Sequence, residues 1–279
     1  MEKKVLTTSE FVQKYELMAK KALGQNFLLD SNIVDKIMRL SLNEQGFESL
    51  ENQNVIEIGP GPGGLTQAVL RCEPSELKVI EMDERCLSIL GEIKEAYPNL
   101  NIISGDALKF DWDEEFRLYG KKHIVSNLPY NISVVLLCGW LEKINQYKSL
   151  TLMFQKEVAD RILADTGTKD YGRVSVLAQL QTEVVKLFDI SPKCFVPEPK
   201  IWSTVLLFKP KEKVVEGKVL EMVSKLTAEA FSKRRKMIRQ SLKNIPNILE
   251  ILNELDIEPT LRAENLSPND YLEIAERLV

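Results

Sequence analysis

Asn127, Leu128, Pro129 and Tyr130 stand together behind the short run Ile124-Val125-Ser126, and their types suit one piece of chemistry. The exocyclic amine of a nucleobase is a poor nucleophile, because its lone pair is delocalised into the ring. Two acceptors that hold both of its N–H bonds favour a more pyramidal nitrogen. The Asn127 side-chain oxygen with the Leu128 or Pro129 carbonyl can form that pair. As a methyl group arrives, positive charge develops on the nitrogen and the same acceptors stabilise it. Tyr130 can stack on the base and hold it. The same four residues also read as a strand followed by a Pro turn, with Asn127 bonded to backbone and Tyr130 packed. The elements around them must decide.

The β-branched run before Asn127 predicts a buried strand over 124–127. Pro129 removes a backbone donor and biases Leu128 towards an extended conformation, so the strand stops there. Asn127 and Tyr130 are then presented at its C-terminal edge, where ligands bind in open α/β sheets.

Upstream, Val55-Ile56-Glu57-Ile58 runs into Gly59-Pro60-Gly61-Pro62-Gly63-Gly64-Leu65-Thr66, which predicts strand, glycine-rich turn and helix. Gly59 and Gly61 let backbone approach a ligand closely. Gly59, Gly61 and Gly64 satisfy the dinucleotide fingerprint. Glu81 closes the next strand, Lys78–Glu81, where a carboxylate can accept both hydroxyls of an adenosine ribose. Together these point to an adenosine-containing cofactor and leave NAD and S-adenosylmethionine both open. Pro60 and Pro62 stiffen the loop and take away N–H groups that a pyrophosphate cradle needs. A third strand over 101–104 ends at Gly105-Asp106-Ala107. Asp106 reads equally as an acceptor for the cofactor's adenine amine and as a turn residue.

Elsewhere, residues 1–22 read as a polar arm. Gly24 and Asn26 belong to a loop that is either a simple turn or a lid over a ligand. Asp30 or Ser31 caps the following helix. Asp111 to Glu115 reads as a solvated acidic loop. Lys186–Ile190 and Trp202–Phe208 read as late strands, of the kind that form an antiparallel edge on a parallel sheet. Between them Pro197 and Pro199 pin an extended loop, so that Phe195 is expected to stay out of the core and to wall a base pocket opposite Tyr130. Trp202 reads as core.

The pattern from about Lys211 is helical. The segment 230–242 places apolar positions on one helix face and positive charge on the other. Lys233, Arg234, Arg235, Lys236 and Arg239 put five cations in seven residues with no acid between them, which points to phosphate contact. The chain as a whole is not a basic nucleic-acid binder, with a net charge of −4 over 279 residues. One histidine, His123, excludes histidine triads and multi-histidine metal sites, and no metal is expected. The four cysteines are widely spaced and read as free thiols in a reducing compartment. The first residues lack the apolar stretch of a signal peptide and no run reaches a membrane span, so a soluble, cytoplasmic protein is expected.

These motifs occur in the order of a known family. The chain resembles the KsgA-type small-subunit ribosomal RNA adenine dimethyltransferases through LGQNFL (23–28), EIGPGPGGLT (57–66), VIEMD (79–83), GDA (105–107), NLPYNIS (127–133), FQKEVADR (154–161), YGRVSV (171–176), FVPEPKIWS (195–203) and FSKRRK (231–236). The resemblance implies a class I methyltransferase fold: Rossmann-like α/β, a seven-stranded mostly parallel sheet over residues 1–210, and a small all-helical RNA-binding domain over 211–279. It implies S-adenosylmethionine as methyl donor, held by Asn26, Leu28, Gly59, Gly61, Glu81, Asp106, Ala107 and Asn127. Asn127 with the Leu128–Pro129 carbonyls would hold the target amine, and Tyr130 and Phe195 would sandwich the adenine. Lys200 would join the basic patch in contacting RNA. The implied reaction is double N6-methylation of two adjacent adenines in the 3′-terminal hairpin of small-subunit rRNA, late in 30S assembly, by a monomer. Trp202 departs from the pattern, standing where a smaller polar residue is usual.

Three other functions compete. A non-catalytic assembly factor on the same fold would have no chemical need for Glu81, Asp106, Asn127, Tyr130 and Phe195 together. A large-subunit rRNA methyltransferase shares the tetrad, but fits LGQNFL and EIGPGPGGLT less well. An NAD-dependent oxidoreductase leaves the tetrad and the basic run unexplained.

Overall fold

The computed structural model describes residues 5–20 and 25–279, apart from the side chains of 116–119. Leu23 and Gly24 of the first motif lie outside the described residues. The chain divides into two compact units. The first comprises Met1–Leu136, Asn145–Lys156 and Val185–Phe208; the second comprises Leu137–Ile144, Glu157–Val184 and Lys209–Val279.

A seven-stranded sheet carries the fold. Its strands are β2 (Asn54–Ile58), β3 (Glu76–Glu81), β4 (Leu100–Ser104), β5 (Lys122–Asn127), β6 (Tyr147–Gln155), β7 (Thr182–Ile190) and β9 (Ser203–Pro210). They lie in the order β4-β3-β2-β5-β6-β9-β7. The five strands from β4 to β6 are parallel, and β9 runs antiparallel to β6. Central strands read as continuous apolar runs because both faces are covered: Val55, Ile56, Ile58, Leu77, Val79, Ile124 and Val125 are all buried. The chain winds outward from β2 through β3 to β4, then returns to β5 on the other side. The order therefore reverses between β2 and β5, and the crevice beyond their C-terminal ends is the expected place for a ligand.

The helices pair with this sheet by sequence logic. Helix α2 (Ser31–Gln45) is capped by Asp30, whose carboxylate accepts from the Asn32 N–H at 2.9 Å. Val34, Ile37, Met38, Ser41 and Leu42 form its buried stripe at helical spacing. Helix α3 (Gly64–Leu70) follows the glycine loop and α4 (Glu84–Ala96) follows β3. In the second unit, α9 (Gly217–Ser232) buries Leu220, Val223, Leu226 and Ala230. Helix α12 (Pro268–Glu276) starts from a Ser267–Asp270 capping box. Among the described residues no helix is long and apolar enough to cross a membrane.

Four local expectations are corrected. The polar arm contains a helix, α1 (Thr8–Lys14), and the arm buries Phe11 and Leu17 in the core cluster. Polar residues dominate it by number, yet two apolar side chains are enough to anchor it. The acidic stretch is not a loop: it enters helix α5 (Trp112–Tyr119). Glu115 there is 5% exposed, with Lys78 at 2.6 Å and Lys122 at 3.2 Å. A buried carboxylate must be paired, and these strand lysines do it. Burial pushes the Lys122 pKa down, opposed by the Glu115 carboxylate.

The basic run is not a helix face. Helix α9 ends at Ser232, residues 233–236 turn, and α10 (Ile238–Ser241) starts after Met237 bridges Arg262. Successive cations one turn apart on a helix repel one another. In the turn Arg234 reaches Glu264 at 3.0 Å and the Thr168 carbonyl at 3.2 Å, both in the second unit. Finally, Trp202 is not core but 50% exposed. It precedes β9, whose first six residues, Ser203 to Phe208, are all buried, and lies just outside that covered strand.

Candidate active site

The pocket at the β2/β5 reversal is built from strand ends. It is lined by Gln25 to Leu28, by 57–62 with Gly64 and Leu65, by Ile80, Glu81 and Met82, by Gly105, Asp106 and Ala107, and by 127–130 with Ile132. Asn26, Leu28, Gly59, Gly61, Glu81, Asp106, Ala107 and Asn127 therefore meet in one cavity with Leu128, Pro129 and Tyr130.

The glycine loop closes the pocket floor by donating inward. The Gly59 N–H goes to the Ile80 carbonyl at 2.9 Å, the Gly63 N–H to the Pro60 carbonyl at 3.0 Å, and the Gly61 N–H to Glu81 Oε2 at 3.0 Å. Gly61 sits at φ +55°, which strains any other residue, and an added Cβ would press on the Phe27 ring at 3.3 Å. Gly64 lets α3 approach the strand β1 (Phe27–Leu28), since a Cβ there would lie 2.8 Å from the Leu28 carbonyl. With Pro60 and Pro62 lacking N–H groups, the loop presents no row of donors to a pyrophosphate. The fingerprint glycines thus serve close packing and do not favour a dinucleotide.

Glu81 ends β3 at 5% exposure. Its two oxygens accept from the Gly61 N–H and, at 2.8 Å, from the Asp83 N–H. Burial raises its pKa, opposed by the Asp83, Gly61 and Met82 N–H groups. The carboxylate keeps acceptor capacity at the pocket wall, which suits a hydroxyl group of a ligand. Asp106 sits in a turn, where its Oδ1 accepts from the Leu108 N–H at 3.0 Å, and it lines the pocket. Carboxylates at two strand ends, apolar walls from Leu28, Ile80 and Ala107, and the absence of a pyrophosphate cradle fit an adenosine joined to a short side chain.

Asn127 ends β5. Its Nδ2 donates to the Asn26 carbonyl at 3.4 Å. That bond uses one of the two amide N–H groups, and Asn127 lines the pocket. The Pro129 carbonyl accepts from the Ile132 N–H at 3.1 Å, so the turn already engages it. The Tyr130 hydroxyl lies 2.8 Å from the Ser203 hydroxyl at the start of β9. Burial pushes the Tyr130 pKa up, with the Ser203 bond opposing, so the phenol stays protonated at neutral pH. Ser126 fixes β5 to β2 by donating to the Ile58 carbonyl at 2.6 Å.

Phe195 is the correction at this site. It is 2% exposed, belongs to the core cluster and does not line the pocket. The prolines do not keep it out. Phe195 and Val196 form a strand, β8, antiparallel to β1, with Leu28 opposite Phe195 and Phe27 opposite Val196. Alternation then buries Phe195 and leaves Val196 51% exposed. The pocket's second aromatic is Phe27 instead.

Glu57 was not singled out in the sequence, although a lone acid inside Val55-Ile56-Glu57-Ile58 is a visible signal. It is 1% exposed, lines the pocket and accepts from the Thr66 hydroxyl at 2.7 Å. Burial pushes its pKa up to about 8, with the Glu81 carboxylate adding to the rise and Thr66 opposing it. His123 lies inside β5, where it contacts Ser149 at 2.8 Å and burial holds it neutral, with a pKa down at about 4.

Of the expected RNA contacts, Lys200, Arg235, Lys236 and Arg239 are exposed. Lys233 lies 3.7 Å from Glu229 and Arg234 is paired with Glu264.

Comparison with known proteins places this geometry. A family model described as ribosomal RNA adenine dimethylase matches residues 17–279. A ribosomal RNA small subunit methyltransferase A from Novosphingobium aromaticivorans is 44% identical over 273 residues, covering 96% of each chain. Its counterpart from Zymomonas mobilis is 45% identical over 268 residues, covering 94% of this chain and 92% of that one. Among solved structures, a dimethyladenosine transferase from Plasmodium falciparum superposes with a TM-score of 0.73 at 27% identity, over 88% of this chain and 94% of that one. The 23S rRNA methyltransferase ErmE shares the fold, with a TM-score of 0.66 at 23% identity over 91% and 99% of the two chains.

Proposed function

The chain belongs to the ribosomal RNA adenine dimethylase family, and from that membership we propose that it dimethylates N6 of two adjacent adenines in the 3′-terminal hairpin of small-subunit rRNA, late in 30S assembly in the cytoplasm. The observation that carries the chemistry is the Asn127 amide at the end of β5, on the pocket lining beside Glu81 and Asp106, with its Nδ2 donating to the Asn26 carbonyl.

The methyl donor is S-adenosylmethionine, which when bound supplies a methyl group already activated on a sulfonium. Glu81 would accept its ribose hydroxyls and Asp106 its adenine amine, while Leu28, Ala107 and the 59–61 backbone pack around it. Asn127 Oδ1 and the Leu128 carbonyl would take the two N–H bonds of the target amine. Leu128 is favoured over Pro129 because the Pro129 carbonyl already serves the turn. These acceptors orient the amine lone pair towards the donor and stabilise the charge that grows on nitrogen. Tyr130, anchored through Ser203, would stack on the flipped adenine. Phe195 would support that wall from the core and would have to leave the core to stack itself.

The exposed Arg235, Lys236 and Arg239, with Lys200, would contact phosphates; residues 211–279 would form the main RNA-binding part. We take the enzyme to act as a monomer. The test is incubation with unmethylated small subunits and labelled S-adenosylmethionine, followed by nucleoside analysis. Dimethyladenosine at the 3′-terminal hairpin supports the reading. Transfer to large-subunit RNA alone, or tight subunit binding without transfer, would overturn it.

A further inference from the structure

One large aromatic close to the pocket has no role in the chemistry above. Trp202 is 50% exposed, whereas Ser203 and Thr204 beside it are fully buried. Its backbone is held, because the Trp202 carbonyl accepts from the Lys156 N–H at 2.8 Å. The indole is therefore a rigidly based, solvent-facing ring. Ile201, 39% exposed, and Val196, 51% exposed, add apolar surface in the same segment, and Lys200 adds an exposed cation.

Sheet register sets its distance from the tetrad. Asn127 pairs with Met153, and Met153 pairs with Val205 two residues into β9. Gln155 pairs with Ser203, so Trp202 stands just past the C-terminal end of β6, on the edge that carries Asn127. Two strand spacings separate β5 from β9, about 10 Å. Ser203 also holds the Tyr130 hydroxyl, so both aromatics are tied to the start of the same strand.

The geometry points to Trp202 as a stacking platform for the nucleobase that flanks the target adenine in the RNA, with Lys200 on the adjoining phosphate. This rests on the proposed reaction. A base flipped against Tyr130 leaves its neighbour unstacked at just this range, and an exposed indole is a sequence-tolerant partner for it. Trp202 is a positioning residue; it touches no reacting atom.

The test compares the wild type with Trp202→Ala and Trp202→Phe on a protein-free oligoribonucleotide spanning the 3′-terminal hairpin and on intact unmethylated subunits. Trp202→Ala should raise the KM for the oligonucleotide about tenfold, leave the KM for S-adenosylmethionine within twofold, and be largely rescued by Trp202→Phe. RNA should quench the wild-type tryptophan fluorescence, and Trp202→Phe should remove most of that quenching, since Trp140 is buried and Trp112 is half-buried with its indole N–H on the Ala107 carbonyl. An unchanged RNA KM with quenching retained would overturn the inference. So would a defect on subunits but not on the oligonucleotide, which would assign Trp202 to a ribosomal protein. If the wild type transferred no methyl group, Trp202-dependent quenching would still uphold the platform while the reaction fell.

Discussion

Asn127 Nδ2 donates to the Asn26 carbonyl at 3.4 Å, so the end of β5 is tied to the loop before β1 at the pocket. The acceptor is a backbone group and not a side chain that mutation can remove. Replacement of Asn26 should therefore alter cofactor contacts more than amide orientation. Asn127→Asp keeps an acceptor but loses the donor to Asn26, and brings a charge towards Glu57 and Glu81 in the same pocket.

Tyr130 and Ser203 separate stacking from anchoring. Tyr130→Phe keeps the ring and loses one hydrogen bond, a cost of about 0.5–1.5 kcal/mol. Ser203→Ala should match it, and the double variant should cost no more than either alone. Tyr130→Ala loses the ring as well and should lower kcat/KM for RNA by a further tenfold or more. Equal effects of Tyr130→Phe and Tyr130→Ala would mean that the ring does not stack.

Glu57 makes stability depend on pH. Its folded pKa of about 8 stands above the ordinary 4.5, so between those values the folded state holds a proton that the unfolded state has lost. Stability is then greatest at the acid end and falls as pH rises, by up to about 1.4 kcal/mol per pH unit, levelling off above pH 8. His123 acts in the opposite direction: its folded pKa is about 4 against 6.5, so its contribution grows with pH and is complete above about pH 7. Between pH 7 and 8 His123 contributes no slope, while Glu57 does, with Glu81 shifted in the same direction by burial. Urea unfolding across it should show the decline in the wild type and a flatter profile in Glu57→Gln, which still accepts from Thr66.

The basic segment 233–239 divides into exposed cations and cations close to a carboxylate. Changing Arg235, Lys236 or Arg239 to Ala should weaken RNA binding at every sequence and lower the salt slope by about 1 each. Cofactor affinity should not move. Arg234→Ala should mainly lower thermal stability, because it breaks the Glu264 pair and the bond to the Thr168 carbonyl. A salt slope unaltered by the triple variant would remove this turn from the RNA path.

Phe195→Ala should destabilise the protein by about 3–5 kcal/mol, as a cavity in the core does. Phe195→Leu should recover most of that stability. Loss of activity in Phe195→Leu with stability retained would show that the ring does leave the core to meet the base.

What the sequence made legible was local. Pro129 after a β-branched run announces where β5 stops, and acids at the ends of β3 and β4 announce the pocket. The misreadings share one cause, partners far away in the chain. Phe195 is buried by pairing with Leu28. Glu115 is drawn in by Lys78 and Lys122 from two strands. The basic run bends where Met237 meets Arg262. Trp202 looked like core by type, and only its register against β6 shows it lying beyond the sheet's end.

In the proposed transition state the Asn127 oxygen accepts from the target amine. Single-turnover methyl transfer to unmethylated small subunits, comparing the wild type with Asn127→Ala at saturating cofactor, tests it most directly. We expect the rate to fall by about a hundredfold or more while subunit affinity changes little. A rate within threefold of the wild type would contradict the claim.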